Sequence, residues 1–345
     1  MRRALIFLLG LVFLSTTAAL AGKPVPPPPT GPWDIAYGSQ TTSRGDLTLM
    51  LADGQNKTVV FTAETPHYVR LPDWSHDGKY VSFQIYNIEN RVLQVATGKT
   101  CHLYSNHMTA PQPMKFHPSF GEGVGDGHYV VSWTNWNNQS YDLYIAEFMF
   151  QEGTCPILWS ADVTPTDRGE WGSAWSPVGT AQATQLATIV TDPDAEPQPY
   201  GTWTLRIHDV VMGADGHLAL TGSFVDYPLD PSLRLPAGFN GGWSLQWSPD
   251  PSLLGVVAYW SPDGWTTKYY DVFSIDISTN PPVMTNVTNT AADEFYFDYR
   301  ANGDGMIVGN EDGIFRFPAV GDPVCIAPVE RKKWPKDPAW NPTRW

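Results

Sequence analysis

Aromatic residues are the side chains of this 345-residue chain whose number and spacing most suggest chemistry. The chain contains 15 Trp, 15 Tyr and 15 Phe, and several of them lie four residues before another, regularly recurring aromatic residue. The positions at this place, together with the acidic residues beside them, are Arg70, Gln112, Glu170, Trp171, Trp243, Asp293, Glu294, Phe295 and Lys336. Aromatic faces bind sugar rings and partner side chains, and Arg and Lys bind carboxylates. We therefore predict that these residues, the predicted rim, bind a ligand at one mouth of a central channel.

A second interpretation of the same aromatic residues is structural. They would then pack beneath loops as an additional hydrophobic layer, without contact to a ligand. Two Pro- and Gly-rich stretches, 191–202 and 223–242, are long enough to line one side of the same mouth, and loops of this length usually carry function or are disordered. The sequence leaves both interpretations open.

Catalytic signatures do not stand out in this sequence. It contains no Gly-x-Ser-x-Gly, His-Glu-x-x-His or Cys-x-x-Cys motif and no glycine-rich phosphate loop. The eight His are scattered along the chain, so their spacing predicts no metal site. Residues 192–196 alternate acidic side chains like a calcium loop, but the Gly at the sixth place and the Glu at the twelfth are missing. We predict no catalytic residue, no cofactor and no metal.

The amino-terminal 21 residues have the pattern of a secretory signal. Arg2 and Arg3 precede an apolar run at 4–14, and the small residues at 19–21 suit a signal peptidase. Cleavage after residue 21 would remove both arginines and take the formal net charge from −14 to −16. We do not expect so acidic a chain to bind nucleic acid or anionic lipid. We predict a periplasmic or secreted protein without a membrane span.

A proline-rich linker is predicted at residues 22–33. The run from Lys23 to Pro29 contains five Pro and favours extended polyproline geometry, which makes a semi-rigid spacer. One interpretation is a tether between the signal and the folded body. The other is a docking peptide for a partner.

The three cysteines, Cys101, Cys155 and Cys325, occupy the same place in a repeat, just before a short apolar strand. Equivalent positions of different repeats are generally too far apart for a disulfide. We therefore predict that all three are free and buried.

That repeat determines the predicted architecture. An aromatic residue followed by turn-forming residues recurs at six places, and strands with alternating apolar residues follow it. These anchor aromatics are Trp74, Phe116, Trp175, Trp247, Tyr299 and Trp340. We interpret them as structural residues that lie at the start of each innermost strand and insert between neighbouring repeats. With no helical periodicity after the signal, the pattern predicts an all-β repeat fold.

The two ends of the repeat region complete each other. Residues 34–62 form a repeat without its anchor, and residues 337–342 form an anchor without its repeat. Pairing of these N- and C-terminal segments would leave no open sheet edge where the ring closes. We therefore predict a single domain at 34–345, a six-bladed β-propeller closed by its two ends.

Two stretches also resemble the repeat of a known family. Residues 34–54 and residues 72–83, which read PDWSHDGKYVSF, are similar to the repeats of TolB-type β-propellers. This resemblance implies a six-bladed ring of a kind commonly used to bind proteins or other ligands. We expect this chain to lack the N-terminal α/β domain of TolB, because only residues 22–33 separate the predicted signal from the first strand.

Three functions are compatible with the sequence. The first is an exported, non-enzymatic binding or scaffold module that recognises a protein or a glycan at one face of the ring. The second is a polysaccharide lyase or hydrolase with a His or metal site in the central channel. The third is a structural subunit of an extracellular or envelope assembly. The first is favoured because a complete ring carries an aromatic-rich mouth and no catalytic motif, although a fold alone does not define an activity.

Overall fold

A computed structural model describes the chain from residue 33 to residue 343. Within that range it leaves out residues 41–43, 65–66, 86–88, 104–113, 119–127, 138–139, 165–168, 181–182, 192–202, 234–244, 262–268 and 329–333. The side chains of residues 135–137, 140, 141, 191, 259 and 334–336 are likewise outside the description. The predicted signal, the proline-rich run and the predicted acidic loop at 192–196 all fall outside the described residues.

The described residues form 25 β-strands and no helix. The strands are β1 Ile35–Gln40, β2 Arg44–Met50, β3 Thr58–Glu64, β4 Val69–Trp74, β5 Tyr80–Ile85, β6 Glu89–Gln94, β7 Lys99–Leu103, β8 Lys115–Phe116, β9 His128–Asn137, β10 Ser140–Met149, β11 Gly153–Cys155, β12 Ile157–Asp162, β13 Glu170–Gly179, β14 Ala183–Thr191, β15 Trp203–Met212, β16 Leu218–Pro228, β17 Leu245–Trp247, β18 Leu253–Trp260, β19 Tyr269–Asp276, β20 Val283–Asn286, β21 Glu294–Tyr299, β22 Gly305–Asn310, β23 Gly313–Pro318, β24 Val324–Pro328 and β25 Trp334–Trp340. Among these residues no helix exists that could cross a membrane.

The strands form six sheets, which are the six blades of a β-propeller. Blade 1 has the order β25-β1-β2-β3, blade 2 is β4-β5-β6-β7 with β11 added outside, and blade 3 is β8-β9-β10-β12. Blades 4, 5 and 6 are β13 to β16, β17 to β20 and β21 to β24. Each blade begins at an innermost strand and continues outwards through antiparallel neighbours. The predicted all-β, six-bladed fold is confirmed.

The ring is closed by its two termini, as predicted. β25 pairs antiparallel with β1, with Ile35 opposite Trp340, Ala36 opposite Ala339 and Tyr37 opposite Pro338. The last strand of the chain is therefore the innermost strand of the first blade. This arrangement pairs the chain ends instead of exposing them as sheet edges.

Five of the six anchor aromatics end the innermost strand of their blade, and Trp175 lies within β13; none lies at the start of its strand, where it was predicted. Trp74 ends β4, Tyr299 ends β21 and Trp340 ends β25. Their role between blades is confirmed. The indole N–H of Trp74 donates to the carbonyl of Ala339 in the preceding blade at 3.2 Å, and that of Trp175 donates to the carbonyl of Lys115 at 3.1 Å.

The prediction of three free, buried cysteines is wrong. Cys101 on β7 and Cys155 on β11 form a disulfide with 5.3 Å between their Cα atoms, and Cys325 is free and exposed. The prediction failed because β11 leaves blade 3 and pairs in parallel with β7 of blade 2, so that Cys155 lies opposite Leu103. Two residues at equivalent repeat positions thus become neighbours in one sheet.

One predicted insertion is partly a strand. Residues 223–228 continue β16, the outermost strand of blade 4, opposite β15. Residues 229–233 follow the strand and include a turn, whereas residues 234–242 lie outside the described residues, as does the other predicted insertion beyond residue 191.

Candidate functional site

The predicted rim lies where the innermost strands begin. Arg70, Trp171 and Phe295 are each the second residue of their strand, in β4, β13 and β21, and Lys336 is the third residue of β25. Gln112, Trp243 and the side chain of Lys336 are outside the described residues. Trp171 packs against the hydrophobic core between blades 4 and 5, and the ring of Phe295 lies 5.5 Å from that of Tyr270. Ligand binding by these residues stays a prediction.

Two acidic residues of the predicted rim are buried. Glu170 accepts hydrogen bonds from Thr188 at 2.9 Å and from the His208 ring at 3.1 Å. Glu294 accepts hydrogen bonds from the hydroxyls of Thr288 at 3.0 Å and Thr290 at 2.5 Å. Burial, together with the nearby carboxyl group of Asp271, raises the pKa of Glu294 to about 8. Asp293 accepts a hydrogen bond from the Tyr270 amide at 3.2 Å. These acids hold strands together within the ring.

Arg70 forms a buried cluster that joins three blades. Its guanidinium donates to the Tyr296 hydroxyl of blade 6 and lies 3.5 Å from the Asp337 carboxylate of blade 1. Asp337 also accepts the Leu71 amide at 3.0 Å. Leu71 and Asp337 have positive φ angles of 53° and 60°, which L-residues adopt at some cost in energy. The cluster therefore fixes the backbone at this end of the channel.

The opposite end of the channel, where the innermost strands finish, contains a cavity of about 360 Å³. We call it the turn pocket, because the turns that follow the anchor aromatics surround its opening. Its lining includes all six anchors: Trp74, Phe116, Trp175, Trp247, Tyr299 and Trp340. The residues two positions after the anchors are also in the lining: His76, Pro118, Pro177, Pro249, Ala301 and Pro342. The turn pocket is thus built mainly from aromatic and proline rings.

Polar groups lie at the position just before the anchors. Because side chains alternate along a strand, this position faces away from the neighbouring anchor side chain. It contributes Asp73, Gln246 and Asp298 to the pocket lining. The ammonium of Lys115, at the same position of blade 3, lies 3.2 Å from Asp73, and the two side chains are 13% and 14% exposed. One lysine is therefore set against two carboxyl groups.

The two carboxyl groups are held by neighbouring blades. Asp73 of blade 2 accepts the backbone amide of Phe116 in blade 3 at 2.8 Å. Asp298 of blade 6 accepts the amide of Trp340 in blade 1 at 2.7 Å. Each residue thus fixes the anchor of the next blade around the ring.

Burial sets the charge of these groups. It raises the pKa of Asp73, against the opposing effect of Lys115. Burial also raises the pKa of Asp298 to about 7, against the opposing charge of Lys115 and the hydrogen bond from Trp340, and the charge of Asp73 adds to the rise. Asp298 therefore changes charge near neutral pH.

A histidine pair borders the same pocket. His117 is buried and packs against Trp175, with 4.6 Å between ring centroids. Burial and the charge of nearby His76 lower the pKa of His117 to about 3, so His117 is neutral at physiological pH. Within the part of the chain that the structure describes, no group of three or more His, Cys, Asp or Glu is arranged to hold a metal.

Sequence reasoning missed the turn pocket. It assigned the anchors a purely structural role and placed the binding residues at the other mouth of the channel. The available signal was the residue before each anchor, which is charged at positions 73, 115 and 298. Charged residues there stand out, because an innermost strand buried on both sides would otherwise be apolar.

The described strands define a six-bladed β-propeller, and solved structures of TolB proteins share this fold. The chain is similar to TolB from Acinetobacter baumannii, with 16% identity and a TM-score of 0.52 over 90% of this chain and 66% of that one. It is also similar to a putative TolB from Agrobacterium tumefaciens, with 12% identity and a TM-score of 0.50 over 90% of this chain and 99% of that one. Protein-family models and curated protein sequences give no match to the chain. At these identities the likeness defines the fold.

Proposed function

We propose that this protein is an exported binding module that holds a segment of a partner protein in the turn pocket. The observation that carries the proposal is the cavity itself, because its lining combines aromatic rings with buried carboxyl groups. Sites for ligands are typically concave and mostly apolar, with a few polar groups that set orientation. A volume of about 360 Å³ suits one or two side chains of a partner.

The charges of the turn pocket favour a cationic side chain. Asp73 and Asp298 share one lysine, because Lys115 forms an ion pair with Asp73 and its charge also acts on Asp298. A ligand lysine or arginine would supply the second positive charge. The aromatic rings are suited to the same group, since the guanidinium of Arg300 already lies 5.1 Å from the ring centroid of Trp340. The preferred ligand is therefore a basic segment flanked by apolar residues.

Two observations support an exported protein. The first is the signal-like pattern of residues 1–21. The second is the buried disulfide between Cys101 and Cys155, because disulfides persist in oxidising compartments such as the periplasm and the exterior of the cell.

Photo-crosslinking tests the proposed site. A benzoylphenylalanine at position 301, which lines the turn pocket, is expected to crosslink a protein from the envelope or secreted fraction of the source cells. The matched control places the same group at position 320, where Val320 is 90% exposed. A partner captured equally at both positions, or a glycan captured in place of a protein, would refute the proposal.

The enzymatic alternative, in its predicted form, requires histidines gathered in the channel. Of the described histidines, His76 and His117 interact and His76 lines the turn pocket. His208 instead lies in the outer part of blade 4 against Phe224. No observation favours this alternative over the binding module.

A further inference from the structure

The chain enters the ring at the face that carries the turn pocket. The side-chain amide of Asn341 donates to the carbonyl of Trp33 at 3.0 Å, and its backbone amide donates to the carbonyl of Asp34 at 2.7 Å. Asn341 lies between Trp340 and Pro342, which both line the turn pocket. Trp33 is buried in the same core cluster as Trp74, a third lining residue. Residue 33 therefore lies beside the opening of the pocket.

The repeat shows where in the ring the described chain begins. In blade 2 the backbone amide of Ser75, the residue after the anchor, donates to the carbonyl of Tyr80 across a tight turn. In blade 5 the backbone amide of Ser248 donates to the carbonyl of Leu253 in the same way. The bond from Asn341 to Asp34 is the equivalent bond in blade 1, but there no turn links the two residues. Trp33 occupies the place of a turn residue. The described part of the chain thus begins at the face that carries the turn pocket.

The segment that precedes residue 33 in the sequence has the chemistry that the turn pocket suits. Pro24 and Pro26–Pro29 fall in a short run that begins with Lys23. Proline-rich segments in polyproline geometry dock into aromatic-lined grooves, because the bound conformation is already formed in the free peptide. Lys23 would provide a second positive charge for Asp73 and Asp298, the two carboxyl groups that share Lys115.

The segment is also long enough. Ten residues, 23–32, span roughly 31 Å in polyproline geometry, at about 3.1 Å per residue. Because residue 33 already lies beside the lining residues Trp340 and Pro342, only part of this length is needed to reach the pocket.

We propose that residues 23–29 of the chain dock into its own turn pocket, with Lys23 directed to Asp298, and that an external ligand must displace them. We call residues 23–29 the arm. The inference that the arm docks is based on the lining of the turn pocket and on the composition of the arm. Only the displacement step rests on the proposed function. The arm would then compete with the partner for the turn pocket, so that only a partner with sufficient affinity could displace it.

A peptide in trans tests the docking without any knowledge of the partner. The probe is a synthetic peptide of residues 22–31, GKPVPPPPTG, which has no aromatic residue and can be followed by the tryptophan fluorescence of the protein. The comparison is between the wild-type chain and an open-arm variant in which Lys23, Pro24 and Pro26–Pro29 are replaced by Gly and Ser. We expect the peptide to bind the open-arm variant. Its affinity for wild type should be lower by about tenfold or more, because the tethered segment competes at an effective concentration in the millimolar range.

Two controls locate the binding. A peptide with its prolines replaced by Ser and Gly is expected not to bind. Asp298→Asn in the open-arm background is expected to weaken the peptide several-fold, because the amide keeps the acceptor for the Trp340 amide but loses the charge.

The outcomes separate this inference from the proposed function. Equal affinity for both proteins, or no binding to the open-arm variant, overturns the docking. The competing occupant could instead be the C-terminal pair Arg344 and Trp345. If the peptide binds a variant that lacks these two residues but does not bind the open-arm variant, the docking of the arm is overturned. If the peptide fails but position 301 still crosslinks a partner specifically, the proposed function stands and only the arm inference falls.

Discussion

At the scale of single residues, burial of carboxyl groups is the dominant electrostatic feature of this ring. Asp298 at the turn pocket and Glu294 between blades 5 and 6 both have pKa values raised mainly by burial, to about 7 and about 8. At Asp298 the charge of Lys115 opposes this rise in pKa, but burial outweighs it. Such groups keep their protons in the folded state at pH values where the unfolded chain has lost them.

Glu294 predicts a specific dependence of stability on pH. Its folded-state pKa exceeds the ordinary value of 4.5, so stability from this group is fully present at low pH and declines as pH rises from about 4.5 to about 8. Glu294→Gln removes the titration while keeping a side chain that can bond Thr288 and Thr290. We expect the variant to gain on the order of 2 kcal/mol relative to wild type between pH 5 and pH 8.5.

The measurement is urea unfolding at both pH values. The matched control is Glu311→Gln, because Glu311 is an exposed turn residue, and it should not change the difference. A Glu294→Gln variant with the same pH profile as wild type would show that Glu294 is ionised in the folded protein.

At the scale of elements, the strands were predictable and their exceptions were not. The opening strands follow strict alternation, as in β5, where Val81, Phe83 and Ile85 are buried, and glycines such as Gly78, with a φ of 66°, mark the turns. Such alternation marks a strand in the sequence. The parallel addition of β11 to β7 carries no periodic signal of its own. The disulfide that depends on it was therefore missed.

The cysteines give a prediction at this scale. Replacing both Cys101 and Cys155 by Ala should lower the free energy of unfolding by about 2–4 kcal/mol, because the bond closes a long loop in the unfolded chain. Thermal unfolding with and without a reducing agent measures the effect. Reduction should destabilise wild type and leave the double variant unchanged.

Cys325→Ala serves as the matched control, since Cys325 is free and exposed. It should melt like wild type in both conditions. A double variant as stable as wild type would mean that the disulfide contributes nothing to the attachment of β11.

At the scale of the whole molecule, the closure of the ring was predictable and the turn pocket was not. The incomplete repeats at the two ends of the sequence directly indicate the pairing of β1 with β25. The turn pocket arises only when six chain segments, distant in sequence, meet around one axis. In a single strand such as β21, the sequence shows only that Asp298 precedes Tyr299. An acidic residue at such a position is also expected where the side chain simply faces solvent.

Closure of the ring gives a prediction at this scale. Deleting residues 337–345 removes most of the innermost strand of blade 1 and, with Asp337, a partner of Arg70 and of the Leu71 amide. We expect the whole ring to lose cooperative unfolding or to melt at a much lower temperature, rather than one blade alone. A truncated protein that melts like wild type in calorimetry would be incompatible with a ring that depends on this strand.

The two mouths of the channel can be distinguished by one measurement, calorimetric titration of the partner captured at position 301 into three proteins. These are wild type, Asp298→Asn in the turn pocket and Trp171→Ala in the predicted rim. We predict that Asp298→Asn weakens binding by about tenfold or more, as expected for the loss of a hydrogen bond to a charged group, and that Trp171→Ala binds like wild type. Loss of binding in Trp171→Ala with unchanged binding in Asp298→Asn would contradict the account and move the site to the opposite mouth.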